Sequence, residues 1–280
     1  MRTEQEMMDL ILSVANSDER IRGVLLSGSR ADLSIPKDQY QDYDIGFAVT
    51  DMKPYFNNPT WVEEKFGKPL IMQMPETLRR AENDGNFFYL MIFPDGVRID
   101  LSFIFDKAYI DDGEPSIVLL DKDNGDGLIP PITIDNKYWN ITPPTALDYR
   151  SNCSNFWWCL NNVAKGIMRD ELSYVMNMLH DAVRCNLIEM INWFIGIQYE
   201  FNISTGKDCK FIKKYLPLEL YARYAASYSD SNYENIWKSI DTMCDLFPLL
   251  ALPVAEHFGF LYHQDEEDGM REYLKLVRGV

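Results

Sequence analysis

Apolar residues in the first third of the chain recur with two different periods. From Glu4 to Val14 they are spaced three and four residues apart, which is the spacing of one face of an α-helix. From Tyr43 to Val49 they alternate with Asp44, Gly46 and Ala48, which is typical of a strand. Shorter apolar runs predict further strands at Val24–Leu26, Leu70–Met74, Phe87–Phe93 and Val97–Phe105 and a short helix at Thr60–Phe66.

In the rest of the chain the pattern of apolar and polar residues changes twice. Pro94, Asp95 and Gly96 separate the last two predicted strands, and a loop of this length favours a β-hairpin. The segment 110–144 is rich in Asp, Gly, Asn and Pro, so we expect a crossover without long elements. From Thr145 onward the apolar spacing is helical. The predicted helices are Asp148–Met168, Asp170–Phe201, Cys209–Leu216, Pro217–Ser227, Ser231–Phe247, Leu249–Phe260 and Asp265–Val277.

This order of elements indicates the fold class. Strands that precede the helices, rather than alternating with them, favour an α+β fold over a parallel α/β fold. A chain of 280 residues suits two domains of modest size. We therefore expect a mixed β-sheet flanked by helices in residues 1–144 and a helical bundle domain in residues 145–280.

The composition restricts the partners and the compartment. Lys and Arg total 27 against 43 Asp and Glu, and the resulting net charge of −16 repels nucleic-acid backbones and anionic lipid surfaces. We therefore expect no nucleic-acid or membrane partner, and a cationic partner fits better. Residues 1–13 mix charged with apolar side chains, unlike a signal peptide or a membrane span, so a cytoplasmic location is expected. Five cysteines without a C-x-x-C pair predict neither a disulfide framework nor a zinc site.

Two short polar motifs in the first part point to chemistry. Gly28 and Ser29 follow one predicted strand directly, and Asp42 and Asp44 stand two residues apart at the next, so both carboxylates project from one face. Carboxylates held so close repel one another unless a cation lies between them. Mg²⁺ is usually held by one or two carboxylates plus substrate phosphates, to which the Gly28–Ser29 turn offers backbone N–H groups. Each motif alone is common, but their order favours a metal and phosphate site.

A third acid lies in the predicted hairpin. Asp100 shares one face of an apolar strand with Ser102, and a carboxylate buried there needs a cation, a hydrogen bond or a metal. If this strand lies beside the strand of Asp44, the three carboxylates converge. Asp100 can then complete a metal shell or accept a proton from an attacking hydroxyl.

These motifs resemble those of the nucleotidyltransferase superfamily of polymerase β type, which has a Gly-Ser turn, an Asp-x-Asp pair and a third acid. The matching residues are Leu26-Ser27-Gly28-Ser29-Arg30-Ala31, Asp42-Tyr43-Asp44-Ile45-Gly46-Phe47 and Arg98-Ile99-Asp100-Leu101. Within that superfamily the second part resembles the aminoglycoside 6-adenylyltransferases, which adenylylate streptomycin. This resemblance is carried by Asn155-Phe156-Trp157-Trp158, Val163-Ala164-Lys165-Gly166, Arg169-Asp170-Glu171 and the helix through Met178 and Asp181.

The resemblance implies a reaction and a set of site residues. The implied reaction transfers AMP from ATP to a hydroxyl of an aminoglycoside, with the 6-hydroxyl of streptomycin as the leading acceptor, and releases pyrophosphate. Residues 1–144 then form the nucleotidyltransferase domain. Gly28 and Ser29 are expected to hold the triphosphate, Asp42 and Asp44 to bind Mg²⁺, and Asp100 to act as base, metal ligand or both.

The resemblance also points to two cations and to an acceptor-binding role for residues 145–280. Lys165 is the first candidate for a contact to the triphosphate, with preference for a helix C-terminus as the alternative. Arg30 is a weaker candidate, because its position varies across the superfamily. Trp157 and Trp158 are expected to pack in the core between the two parts, because large aromatic side chains dominate cores.

One helical face of the second part is a candidate acceptor site. At about 100° per residue, Asp170, Tyr174 and Asp181 lie on the same side of the predicted helix as Asn177 and Arg184. Two carboxylates and a tyrosine suit a polycationic sugar or a guanidinium group. The alternative is an ordinary solvated face of an amphipathic helix.

Two other functions are open from the sequence. One is a nucleotidyltransferase that acts on a different acceptor, such as a protein or an RNA end, although the net charge of −16 argues against RNA. A degenerate member of the same fold binds nucleotide without catalysis, although all three acids are present. Glycoside hydrolysis lacks support, because Asp42 and Asp44 are too close in sequence to lie on opposite sides of a bond.

Overall fold

The computed structural model describes residues 2–33, 35–75, 86–105, 115–125, 128–129 and 139–279. The chain divides into two compact units, Met1–Tyr138 and Trp139–Val280. The α+β class expected from the order of elements is confirmed, because the strands lie in the first unit and the long helices in the second. The assignment of a catalytic and an acceptor-binding role to residues 1–144 and 145–280 stays a prediction.

The first unit contains a six-stranded mixed sheet in the order β3-β4-β5-β2-β1-β6. β2 and β5 pair in parallel, and the other neighbouring strands pair antiparallel. The elements are α1 (Glu4–Asn16), β1 (Ile21–Ser27), β2 (Tyr43–Val49), α2 (Pro59–Phe66), β3 (Ile71–Gln73), β4 (Asn86–Ile92), β5 (Arg98–Phe105) and β6 (Ser116–Asp121).

One strand contradicts the expectation of a crossover without long elements. β6 lies inside the segment 110–144 and pairs antiparallel with β1. Its apolar run is flanked by Asp and Gly, and Val118 is exposed, as is usual for a strand at the edge of a sheet. Most of the remaining crossover segment lies outside the described residues.

The two faces of the sheet differ in the size of their side chains. Alternate residues of β2 and β5, among them Phe47 and Phe103, pack against α1 and α2 in the main core of this unit. The opposite face carries a smaller cluster in which Leu25, Ala48 and Ile104 are buried. Because strand residues alternate between faces, Asp44 and Asp100 lie on the face of the smaller cluster.

The second unit consists of helices. They are α3 (Ala146–Met168), α4 (Leu172–Asn177), a π-helical segment (Met178–Arg184), α5 (Cys185–Gln198), α6 (Ile212–Tyr215), α7 (Leu218–Ala226), α8 (Tyr233–Phe258) and α9 (Gln264–Arg278). A capping box starts α3, in which the Thr145 hydroxyl accepts from the backbone N–H of Asp148 and the Asp148 carboxylate accepts from that of Thr145.

Two predicted helix boundaries are wrong. The predicted helix Asp170–Phe201 is observed from Leu172 to Gln198, because Asp170 and Phe201 have positive φ values of 55° and 56°. Within it, the π-helical segment Met178–Arg184 interrupts the α-helical spacing. The predicted break before Leu249 is absent, since α8 continues through Pro248 and Pro253. Interior prolines usually end or kink a helix, but here the buried side chains around them hold α8 in the core.

The core of the second unit is aromatic where α3 meets α8. Phe156 and Phe247 are fully buried and stacked, with ring centroids 3.8 Å apart and planes inclined by 7°. Trp157 is buried beside them, and its indole N–H donates to the hydroxyl of Tyr262. Trp158 is 68% exposed. Within this unit only the first of the two tryptophans that were expected in a core is therefore buried.

Within the described residues, no helix combines the length and the apolar character that crossing a membrane requires.

The stacked pair gives a stability prediction. Phe156→Ala removes a fully buried ring, so we expect the free energy of unfolding to fall by about 3–5 kcal/mol. Trp158→Ala, two residues along the same helix and largely exposed, is the matched control and should change it by about 0.5 kcal/mol or less. Urea denaturation followed by circular dichroism measures both values. Equal losses for the two variants would contradict this description of the core.

Candidate active site

Four polar side chains form a row across four neighbouring strands. Ser27 in β1 lies opposite Ser116 in β6 on one side and opposite Asp44 in β2 on the other. Asp44 in turn lies opposite Asp100 in β5. The two serine hydroxyls are hydrogen-bonded at 2.9 Å. The parallel pairing of β2 with β5 therefore brings together two of the three predicted acids.

The third predicted acid is opposite a cation. Asp42 precedes β2 by one residue, which places it across from Arg98, the first residue of β5. The Arg98 guanidinium donates to both carboxylate oxygens of Asp100, from Nε at 2.8 Å and Nη2 at 2.6 Å. Its Nη1 lies 3.2 Å from Oδ2 of Asp42. We call Asp42, Asp44, Asp100 and Arg98 the acid block.

The charges in the acid block interact. Burial raises the pKa of Asp42 above its ordinary value, the positive charge of Arg98 opposes this rise, and the negative charge of Asp100 adds to it. The hydrogen bonds to Asp100 raise the pKa of the Arg98 guanidinium. These directions are those expected when carboxylates repel one another and a cation partly compensates them.

The turn after β1 brings backbone close to Asp44. Gly28–Arg30 is one 3₁₀ turn, and Gly28 has a φ of +71°, which favours glycine. A Cβ added at Gly28 would lie 2.4 Å from Oδ2 of Asp44, so the absence of a side chain at Gly28 is what lets that carboxylate approach the turn. The Gly28 N–H donates to the carbonyl of Pro115 at 3.0 Å. That N–H is therefore engaged, whereas the sequence predicts that the turn offers its N–H groups to phosphates.

Arg30 supports the loop that carries Asp42. Its Nε donates to the carbonyl of Asp42 at 3.0 Å, and its Nη2 to that of Gln41 at 2.8 Å. Its guanidinium lies over the ring of Tyr43, 3.9 Å from the centroid. The Gln41 side chain donates to the carbonyl of Ser29, which joins the turn to the same loop. Arg30 therefore positions Asp42 through the backbone, and its contact to a nucleotide stays a prediction.

A cavity of about 450 Å³ adjoins the acid block. Asp42 and Arg98 line it, together with Glu4 from α1 and Tyr40 from the loop before β2. The basic side chains that line it are Arg2, Arg30, Lys37 and Arg98. An anionic group such as a phosphate can therefore approach the block from this side.

The acid block fits a divalent cation that arrives with phosphates. Within the described parts of the chain, no three His, Cys, Asp or Glu side chains are grouped as a ready metal cage. A cage is not required for Mg²⁺, which is usually held by one or two carboxylates while phosphate and water oxygens complete its shell. The donors in the block are carboxylate oxygens, and Asp42 and Arg98 border a cavity from which phosphate and water oxygens can reach them. The residues that would hold the ion are Asp42, Asp44 and Asp100.

Of the predicted residues of the second unit, Lys165, Asp170 and Tyr174 lie around the end of α3. Lys165 is half-buried in its last turn, and the next residue, Gly166, packs against Tyr174, since an added Cβ would lie 3.0 Å from the Tyr174 ring. Asp170 accepts a hydrogen bond from the hydroxyl of Tyr233 at 2.8 Å. Asp181 is exposed in the π-helical segment. Their binding roles stay predictions.

Arg184 does not belong to the predicted acceptor face. It is 3% exposed, and its two terminal nitrogens donate to the hydroxyl and the carbonyl of Ser227, each at 2.7 Å. Burial lowers the pKa of this guanidinium. The π-helical turn changes the direction of successive side chains, so a count at 100° per residue placed Arg184 wrongly.

The sequence does not predict three residues of the site, which are Arg98, Ser27 and Ser116. Arg98 carries a recognisable signal, because a cation two residues from a strand carboxylate shares its face. Ser27 is the last residue of β1, directly before the Gly28 turn, and Ser116 lies in β6, a strand that the sequence pattern does not predict. A shared strand face therefore identifies Arg98 but not Ser116.

Comparison with known proteins agrees with the motifs. A model of the streptomycin adenylyltransferase family matches residues 1–277. The aminoglycoside 6-adenylyltransferase of Bacillus subtilis is 38% identical over 284 residues, which cover 99% of this chain and 98% of the relative. That of Campylobacter jejuni is 38% identical over 267 residues, covering 94% and 91%. A crystal structure of an aminoglycoside 6-adenyltransferase from Bacillus subtilis is 34% identical, covers 99% of both chains and has a TM-score of 0.49.

The resemblance that the motifs carry is thereby confirmed. Since the family model and the relatives extend over nearly the whole length, they include both units and every residue of the acid block. The chain belongs to the streptomycin adenylyltransferase family and is an adenylyltransferase.

Proposed function

We propose that this protein transfers AMP from ATP to a hydroxyl of an aminoglycoside, with the 6-hydroxyl of streptomycin as the leading acceptor, and releases pyrophosphate. The observation that carries the proposal is the parallel pairing that sets Asp44 opposite Asp100 beside the Gly28 turn. The names of the relatives, aminoglycoside 6-adenylyltransferases, support the acceptor class.

The residues of the first unit would divide the nucleotide chemistry among them. Gly28 and Ser29 position the triphosphate, and Asp42 and Asp44 hold Mg²⁺. Mg²⁺, when bound, supplies positive charge that compensates the phosphates. Asp100 accepts the proton of the acceptor hydroxyl as that hydroxyl attacks the α-phosphorus. Most of the rate enhancement then comes from positioning and from electrostatic stabilisation of the developing charge.

The residues of the second unit would serve the acceptor and the phosphates. Asp170 and Asp181 are exposed carboxylates, and Tyr174 in α4 is 43% exposed. Carboxylates and a phenol are suitable partners for the guanidinium and hydroxyl groups of streptomycin. Lys165 contributes a cation for the triphosphate. The net charge of −16 favours a small cationic acceptor in general.

Mass spectrometry of the reaction products tests the proposed reaction. The protein is incubated with ATP, Mg²⁺ and a panel of aminoglycosides, and we expect streptomycin to gain the mass of one AMP. Asp44→Asn keeps the side-chain shape but removes a charge from the acid block, so we expect a loss of about 100-fold or more in turnover. Asp9→Asn, at an exposed site on α1, is the matched control and should retain full activity.

Two results would contradict these expectations. Streptomycin without an AMP adduct, while another aminoglycoside gains one, would exclude the leading acceptor but not the reaction. An Asp44→Asn variant that is folded by circular dichroism and turns over at the wild-type rate would exclude Asp44 from metal binding.

The Gly28 turn gives a steric prediction. Gly28→Ala places a methyl group 2.4 Å from Oδ2 of Asp44, so either the turn or the carboxylate must move. We expect kcat/KM for ATP to fall by about tenfold or more, since displacement by one ångström costs up to about 100-fold. Gly67→Ala is the matched control, because Gly67 also has a positive φ but no atom within 4 Å of the added Cβ. Similar losses in both variants would attribute the effect to backbone strain rather than to the contact with Asp44.

The acceptor face gives a prediction about KM. Asp181→Asn removes one charge that would pair with the cationic acceptor, so KM for streptomycin should rise by about tenfold. KM for ATP and kcat should stay within about twofold, because the nucleotide site is unchanged. Steady-state kinetics with Asp268→Asn, an exposed acid on α9, provide the control. An unchanged KM for streptomycin would favour the alternative of a solvated helix face.

A further inference from the structure

Arg98 occupies the position that a cation bound to the acid block would take. The register of β2 and β5 makes a two-by-two arrangement on one sheet face, with Asp42 across from Arg98 and Asp44 across from Asp100. Arg98 is therefore the one cation among the four side chains. Its guanidinium lies within 3.2 Å of two of the three carboxylates.

The hydrogen bonds of Arg98 occupy the oxygens that the proposed chemistry needs. Nε and Nη2 donate to the two different oxygens of Asp100, which is the bidentate geometry that arginine forms with carboxylates. The two N–H groups occupy two of the about four lone-pair sites of this carboxylate and compete there with a metal ion or a hydroxyl proton. Asp100 therefore becomes a stronger ligand or base when at least part of this pair is given up.

The location of Arg98 permits such an exchange. It is the first residue of β5, directly after the hairpin turn, and its side chain is 44% exposed, against 19% for Asp100. The guanidinium also borders the cavity of about 450 Å³ that the basic side chains line. A rotation of the side chain alone can carry its charge from the carboxylates towards this cavity, while the strand stays paired.

We propose that Arg98 is an exchangeable counter-ion: it clamps Asp100 and Asp42 in the metal-free protein and releases Asp100 when a divalent cation binds. The inference rests on the proposed function, because it takes the acid block as the metal site. Arg98 competes with the metal for the same oxygens. Its removal therefore strengthens metal binding and, in the absence of metal, leaves Asp42 and Asp100 without the cation that pairs with both of them.

Direct measurement of Mn²⁺ binding tests the exchange without substrate. Mn²⁺ suits the same carboxylate donors as Mg²⁺, and its free form is measured by electron paramagnetic resonance. With the full chain and no nucleotide, we expect Arg98→Gln to bind Mn²⁺ about tenfold more tightly than the wild type, and added Mg²⁺ to displace it. In EDTA the same variant should have a lower Tm than the wild type, and saturating Mn²⁺ should remove the difference.

Two further variants serve as controls. Arg20→Gln removes a similar bidentate pair, since Arg20 donates to both oxygens of Asp18 at 2.8 Å and 2.7 Å, and it should leave Mn²⁺ affinity unchanged. Arg98→Lys keeps the positive charge but cannot form the bidentate pair, so its affinity for Mn²⁺ should lie between that of the wild type and that of Arg98→Gln. If Arg98→Gln does not fold by circular dichroism, Arg98→Lys carries the test.

The outcomes separate this inference from the proposed function. Equal Mn²⁺ affinity in the wild type and the Arg98 variants, or no Mn²⁺ binding by either, overturns the counter-ion role. Tighter binding by Arg98→Gln supports it, even if the wild type transfers no AMP to any aminoglycoside. In that case only the proposed reaction fails, because the binding measurement requires neither ATP nor an acceptor.

Discussion

The parallel pairing of β2 with β5 is the constraint on which the site depends. It sets Asp44 directly opposite Asp100 on one face of the sheet, with Asp42 two residues before Asp44. Like charges at this spacing destabilise a sheet unless a cation or a solvent of high dielectric constant compensates them. The strand register thus creates a local excess of negative charge, and the surrounding contacts of Arg98, Arg30 and Gly28 are arranged around it.

The sheet can accommodate this excess of negative charge because its two faces contribute differently to its stability. The face towards α1 and α2 buries large side chains, including Phe47, Phe103 and Tyr89, and it supplies most of the hydrophobic stabilisation of the first unit. The other face needs only the small cluster around Ala48 and Ile104. It can therefore carry carboxylates, because the stability of the strands does not depend on burying that face completely.

Much of the fold was predictable because these elements are defined by local periodicity. The strand Tyr43–Val49 was predicted with its observed limits, and α1 begins at the predicted Glu4. The errors arose where tertiary contacts override local pattern. β6 is held by pairing to β1, and α8 continues through Pro248 and Pro253 because its apolar side is buried. Neither contact is visible in the neighbouring sequence.

The candidate site was predictable in part for a similar reason. The spacing of Asp42 and Asp44 places them on one face of a strand, but only the pairing of strands distant in sequence brings Asp100 to them. Arg184 shows the opposite failure, since a π-helical turn moved it from the predicted polar face into a buried contact with Ser227. Local spacing thus identified the acids, whereas long-range register decides their neighbours.

Two arginines act on Asp42 in different ways, and the difference has a physical consequence. Arg30 donates to the main-chain carbonyl of Asp42, and its side chain is only 8% exposed. Arg98 approaches the carboxylate itself from a side chain that is 44% exposed. The buried contact fixes the backbone whether or not the carboxylate has another partner. The exposed contact involves the charge and can be exchanged. An acidic protein can in this way keep its carboxylates in place before a negatively charged nucleotide arrives, because the contact that fixes the backbone is separate from the contact that is exchanged.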